Sequence, residues 1–371
     1  MGLFKFDEEF LFGTATSSAQ IEGGDTNHTW FRWCEKNRIS DGSSCYRACD
    51  HWNRMGQDTE ILEGLQVRTH RMSLEYVNFA VERLGDLVCE WVTFNEPNVY
   101  TVFGYLLGIF PPGVRNIIKG FKVAREIVKT HISAYRSIHK IRKERQFKGE
   151  TMVGAAMHLR IFDGITIWGK LTASVVDYIF HTFFMEGLVR GKFRFRFGKK
   201  SKKESDRFMD FLGINYYTRN IVEFVFSPSN YFYKFLNDKN LYKSDLGWDI
   251  YPEGIYTVSK KYYEKYKLPI YITENGICDR YDNRRPDFIL DHLENLHRAV
   301  REGIIIKRYY HWTLMDNFEW NEGEWARFGL YHCNFDTQTR TPRRSAELYR
   351  EICAFNGITE EMAEKFSAKR L

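Results

Sequence analysis

The chain of 371 residues predicts an alternating α/β fold whose strands close into a barrel. Three observations carry that prediction. Short apolar runs alternate with longer amphipathic stretches, the pattern of a parallel sheet covered by helices. The first strand leads into Thr14-Ala-Thr-Ser-Ser-Ala-Gln-Ile-Glu-Gly23, which has no GxGxxG phosphate turn and so argues against an open doubly wound sheet. Polar residues also gather at the C-terminal ends of the strands, where a barrel brings its loops to one face.

The candidate strands are Phe10–Thr14, Val67–Met72, Val88–Phe94, Met152–Ala156, Phe211–Asn215, Ile270–Thr273 and Ile305–Trp312. Gln20 lies just beyond the first, and Arg71 sits near the end of the second. The third is apolar and β-branched, and it runs into Asn95 and Glu96 before Pro97 stops it. The fifth ends in Asn215, the sixth in Glu274 and Asn275, and the last is followed by Asp316 and Asn317. The amphipathic stretches Lys119–Lys143, Leu171–Phe184, Tyr256–Tyr266 and Asp291–Glu302 supply covering helices. Ser227–Lys243 is polar and aromatic without a clear period, as expected of a surface loop. No Gly/Ser/Pro-rich linker divides the chain, so residues 1–371 are expected to form one domain.

A hydrophobic fraction of 43% and an aromatic fraction of 16% provide for a large core and exclude a disordered chain. The net charge of +6 is ordinarily a solvated surface, so no nucleic-acid partner is expected. Residues 192–203 do interleave aromatic and basic side chains, a combination that can stack bases and hold phosphates. The plainer reading there is a solvated loop. The N-terminus has no apolar signal region and no run approaches the ~18 apolar residues of a membrane span. Seven cysteines, an odd number without CxxC pairs, do not suggest a disulfide framework. The expected location is the cytoplasm, without a membrane partner, and a homo-oligomer is left open.

The chemistry is carried by two strand ends. Glu96 and Glu274 each follow an apolar strand, where a carboxylate is costly unless it is paired or used. An ion pair or a helix cap would explain either one alone. On a barrel, however, both point into one mouth, and two facing carboxylates are the equipment for glycoside hydrolysis. One assists the leaving oxygen with a proton while the other attacks the anomeric carbon or activates water. Asn95 could donate to a sugar hydroxyl.

The segments FLFGTATSSAQIEG, WVTFNEPN, FLGINYYT, YITENG and HWTLMDNFEWNEGEWARFGL occur in this order between Phe10 and about Ile352. They resemble the signature segments of glycoside hydrolase family 1, the β-glucosidase family. The resemblance implies a (β/α)8 barrel of the TIM type and retaining hydrolysis of β-glycosides, with a small carbohydrate as substrate and no metal or cofactor. It implies that Glu96 is the general acid/base and Glu274 the nucleophile. Arg71 and Tyr217 would hold Glu274, since a positive charge and a hydroxyl donor each favour the ionised form. Asn215 is a neighbour on the same strand. Gln20, Glu319 and Trp320 match the clamp on the sugar hydroxyls, and Trp312 the aromatic floor. Glu319-Trp320 resembles the version of this loop that takes unphosphorylated sugars.

The resemblance breaks at one place. In the family, a helix and a third strand bearing a His and a Trp follow the RMSLEY-like strand. Here Tyr76 passes almost directly into NFAVERLGDLV, which resembles the helix after that strand, so one strand-helix unit near residue 76 is expected to be missing. Strand number, tilt and stagger are linked in a closed barrel, and losing an interior strand leaves two edges. The main expectation is a β-glycosidase acting on β-D-glucosides or related short β-linked sugars, with impaired activity an open outcome. The alternative is a weak or inactive barrel that binds sugar or another small molecule.

Overall fold

The computed structural model describes residues 4–71, 77–192 and 207–368. Seven parallel strands form its main sheet: β1 (Leu11–Ala15), β2 (Thr69–Arg71), β3 (Glu90–Asn95), β4 (Met152–His158), β5 (Phe211–Tyr216), β6 (Ile270–Asn275) and β7 (Ile306–His311). Their order is β2-β1-β7-β6-β5-β4-β3. Strands consecutive in sequence lie side by side, and β7 returns to β1, as in a (β/α)8 barrel. The exception is β2 and β3, which do not pair and form the two edges. Among the described residues, the segment between them holds one helix, α1 (Val77–Leu84), and no strand. The barrel is incomplete where the sequence pattern breaks.

Side chains hold this open sheet curled. Glu90 on β3 meets Arg308 on β7, with Oε1 2.6 Å from Nη2, and accepts from the Tyr271 hydroxyl on β6 at 2.9 Å. β3 and β7 are well separated in the sheet, so this contact crosses the barrel interior. At the rim, Arg71 Nη1 on β2 donates to Asn95 Oδ1 on β3 over 3.0 Å. A side-chain bond therefore spans the two edges. The edge strands are nevertheless only partly covered, whereas β6 is buried throughout. That contrast follows from the missing neighbour.

The helix α2 (Ile117–Glu144) covers β3 and β4 from outside, beginning at Asn116, whose side chain accepts from the Lys119 N–H. Val81 of α1 packs with Ile138 of α2 and Val153 of β4. Buried Arg142 of α2 donates to the carbonyls of Gly85, Val88 and Lys148 and to Thr151 Oγ1. It thereby satisfies backbone acceptors on the way into edge strand β3. The other edge is seated by Gly13 on β1, where a Cβ would lie 2.3 Å from the Thr69 carbonyl oxygen of β2.

The covering layer continues with α3 (Ile167–Asp177), α4 (Phe183–Arg190), α5 (Glu253–Tyr266) and α6 (Arg285–Arg301), close to the expected helices. The expectation of a loop over Ser227–Lys243 is corrected in part. Tyr233–Leu236 within it pairs antiparallel with Arg219–Phe224, which itself pairs in parallel with Ile161–Asp163. Four residues are too few to reveal a period of two, and the strand is fixed by distant contacts such as Phe235 stacked on Phe162 at 5.7 Å. Apart from Lys192, the basic stretch 192–203 lies outside the described residues, and so does Met72 of the expected second strand.

Candidate active site

The C-terminal ends of the strands surround a cavity of about 520 Å³, within the range of small-molecule sites. Gln20, Arg71, Asn95, Glu96, Tyr217, Glu274, Trp312, Glu319 and Trp320 all line it. Asn215 lies behind this lining, fully buried. It donates from Nδ2 to Asn95 Oδ1 and to Glu96 Oε1, each at 2.9 Å, and accepts from Thr273 Oγ1 at 2.6 Å. Every residue that the sequence nominated is thus at the site or directly behind it.

Glu274 ends the buried strand β6. Its Oε1 pairs with Arg71 Nη2, and its Oε2 accepts from the Tyr217 hydroxyl at 2.6 Å. Burial nonetheless lifts this carboxyl to about 7, against Arg71 and with a further push from Glu96. Glu96 stands at the turn from β3 into the short helix Pro97–Thr101, with φ +48°. A left-handed conformation at a residue with a Cβ costs about 1 kcal/mol. The Glu96 N–H bond to the Ala156 carbonyl at 2.8 Å holds it there.

Glu96 Oε1 lies 3.0 Å from His158 Nδ1 and also accepts from Asn215. Burial pushes this carboxyl up, but His158, Asn215 and Arg71 outweigh it, and it lies below its ordinary value. His158 itself is lowered by burial and then by the Arg160 charge. Glu319 is raised to about 8 by burial and by Glu274.

Gln20 Nε2 donates to Asn317 Oδ1 at 3.1 Å and to the Phe318 carbonyl at 3.0 Å, fixing the loop that bears Glu319. Buried Gln20 Oε1 and Asn317 Nδ2 have no partner among the described residues. Buried polar atoms are normally satisfied, so Gln20 Oε1, on a cavity-lining side chain, is suited to a ligand hydroxyl. Trp312 is buried, while Trp320 is tilted against Trp30 with ring centres 4.8 Å apart. The sequence reading missed His158 and Arg160. The signal was a polar His-Leu-Arg just beyond the strand expected to end at Ala156.

Carboxylates brought to the carboxyl-end face of a parallel barrel, with hydroxyl-binding groups and aromatic walls around them, define the site of a glycoside hydrolase. The sequence pattern of Glycosyl hydrolase family 1 matches residues 4–76 and 74–358, and the chain belongs to that family. The two matches meet between β2 and α1, where the described residues hold no strand. β-Glucosidase A of Thermotoga maritima is 27% identical over 454 aligned positions, which take in 97% of this chain and 100% of the relative. That span exceeds 371 residues because the relative carries segments absent here. A β-galactosidase of Pyrococcus woesei is 34% identical over 78% of this chain and 62% of its own. The solved β-glycosidase from Pyrococcus horikoshii superimposes with a TM-score of 0.86 at 30% identity, covering 100% of both chains. The chain is a glycoside hydrolase of the β-glycosidase type.

Proposed function

We infer that the chain hydrolyses β-D-glucosides or related short β-linked sugars with retention, through a covalent glycosyl-enzyme intermediate. The observation that supports this most is the unequal support of the two cavity carboxylates. Glu274 is held at both oxygens, by a guanidinium and a phenol, which suits a group that must attack and later leave as an anion. Glu96 is held at Oε1 by His158 and Asn215. Its other oxygen is left to exchange a proton with the substrate.

In the first half-reaction Glu274 forms a bond to the anomeric carbon as the glycosidic C–O bond breaks. Glu96 gives its proton to the departing oxygen. In the second, Glu96 takes a proton from water as the water oxygen displaces Glu274. Asn95 has both donors to its Oδ1 in place, leaving its Nδ2 for a sugar hydroxyl. Gln20, Glu319 and Trp320 would grip the other hydroxyls, and Trp312 would lie under the ring.

One observation favours the second reading, a barrel that binds sugar but turns it over weakly. Glu96 follows edge strand β3, which has a neighbour on one side only and is only partly covered, whereas a preorganised site needs rigid support. A 2-deoxy-2-fluoro-β-glucoside with a good leaving group tests the covalent step. Mass spectrometry is expected to find one fluorosugar on the peptide carrying Glu274. Labelling of a different residue would refute the assignment.

A further inference from the structure

The side chains behind Glu96 form a chain of hydrogen bonds that the reaction as described does not use. Arg160 Nε lies 3.0 Å and Nη2 2.6 Å from His158 Nε2, and Arg160 Nη1 donates to Asn220 Oδ1 at 2.8 Å. The guanidinium also sits over the Phe180 ring at 5.7 Å. A guanidinium has donors only, so His158 Nε2 must accept and cannot carry a hydrogen. The ring's one hydrogen is then on Nδ1, aimed at Glu96 Oε1 3.0 Å away. The imidazole is held flat against Tyr217, with ring centres 5.7 Å apart and an interplanar angle of 18°. Asn215 donates to the same Oε1, which therefore has two donors.

We propose that Arg160 and His158 are a positioning pair for Glu96. Arg160 fixes His158 as its Nδ1–H tautomer, and His158 with Asn215 reserves Oε1, so that Oε2 is the oxygen that gives and takes the proton. The proposal rests on reading Glu96 as the acid/base. No proton leaves His158 in either half-reaction, so the pair orients Glu96 and stabilises its anion without joining the chemistry. This also accounts for the low proton affinity of Glu96 described above. The other charged or titratable groups facing this chain are Arg71 from β2, Glu274 from β6, Glu319 beyond β7, and Tyr217. His181 stands on the far side, its Nε2 accepting from the Arg160 backbone N–H at 3.3 Å and its Nδ1 bonded to Asp177. Tyr216 and Tyr233 face Arg160.

The test begins with nitrogen-15 NMR of the histidines at neutral pH, which needs no turnover. His158 should show a protonated Nδ1 and a bare, hydrogen-bonded Nε2. An Nε2–H tautomer or an imidazolium would overturn the proposal. Carbon-13 labelling of the glutamate carboxyls, with Glu96 assigned through Glu96→Gln, then reads the consequence. His158→Phe removes one donor and should raise the proton affinity of Glu96 about tenfold, the worth of one bond to a carboxylate. His158→Gln keeps an N–H donor and should restore most of the native titration. An unchanged Glu96 titration in His158→Phe would also overturn the proposal. If His158→Phe does not fold, the tautomer and the His158→Gln titration still decide. In turnover, His158→Phe should move the acid limb of kcat/KM upward, since Glu96 lies below Glu274 in proton affinity, whereas a merely structural role would lower kcat with the limb in place. A correct tautomer and titration in a protein that hydrolyses nothing would spare this pair and sink the glycosidase reading. Hydrolysis with the wrong tautomer would do the reverse.

Discussion

Glu274→Ala is expected to remove hydrolysis of every β-glycoside, by at least about 10⁴-fold in kcat, because no other group near the anomeric carbon can form the covalent ester. Arg71 and Tyr217 would then face an empty position, and neither can replace the nucleophile. Glu96→Ala should behave differently. Its loss should reach about 10²–10⁴-fold with poor leaving groups, the range for losing a general acid. It should be far smaller in the first half-reaction of an activated aryl glycoside, whose leaving group needs no proton. Added azide should restore part of the turnover of that substrate by attacking the glycosyl-enzyme where Glu96 stood, releasing a glycosyl azide. Steady-state rates over a series of aryl glucosides separate the two variants. Equal losses for all leaving groups in both, without azide rescue, would contradict the division of roles.

Arg308→Ala is expected to destabilise the fold by about 3 kcal/mol, and Glu90→Ala by a similar amount, since breaking a largely buried pair leaves an uncompensated charge. The pair is 14% and 24% exposed, far from a surface contact. It has more than local consequence, because it ties edge strand β3 to the opposite wall of an open barrel. The double change Glu90→Met with Arg308→Met should cost much less than the sum, as neither charge is then left alone. Urea unfolding would show lowered midpoints with an unchanged slope for the single variants. A loss below about 1 kcal/mol in each would place the pair with exposed salt bridges and remove this explanation of how the sheet stays curled.

What was legible in the sequence was local. Strands such as Phe211–Tyr216 and Ile270–Asn275 were found within a residue or two because apolar runs ending in polar residues mark the carboxyl-end face. Glu96, Glu274 and Arg71 stood out as charges at the ends of such runs, and the gap near Tyr76 showed as an interrupted motif order. Contacts across the barrel were not legible. Glu90 and Arg308 are charged residues inside strands that were read as apolar, and nothing nearby in sequence says that they meet. His158 and Arg160 were hidden by a strand that runs two residues past its obvious apolar part.

The central claim is that a barrel with seven parallel strands among its described residues, and with β2 and β3 unpaired with each other, carries out double displacement with Glu274 and Glu96. The most direct test is the anomer released first. Purified protein is mixed with p-nitrophenyl β-D-glucoside, and the sugar anomeric protons are followed by NMR from the first minutes. The account expects β-glucose first, with the α-anomer growing in only at the rate of spontaneous mutarotation. α-Glucose as the first product would mean a single displacement by water, and would contradict the account.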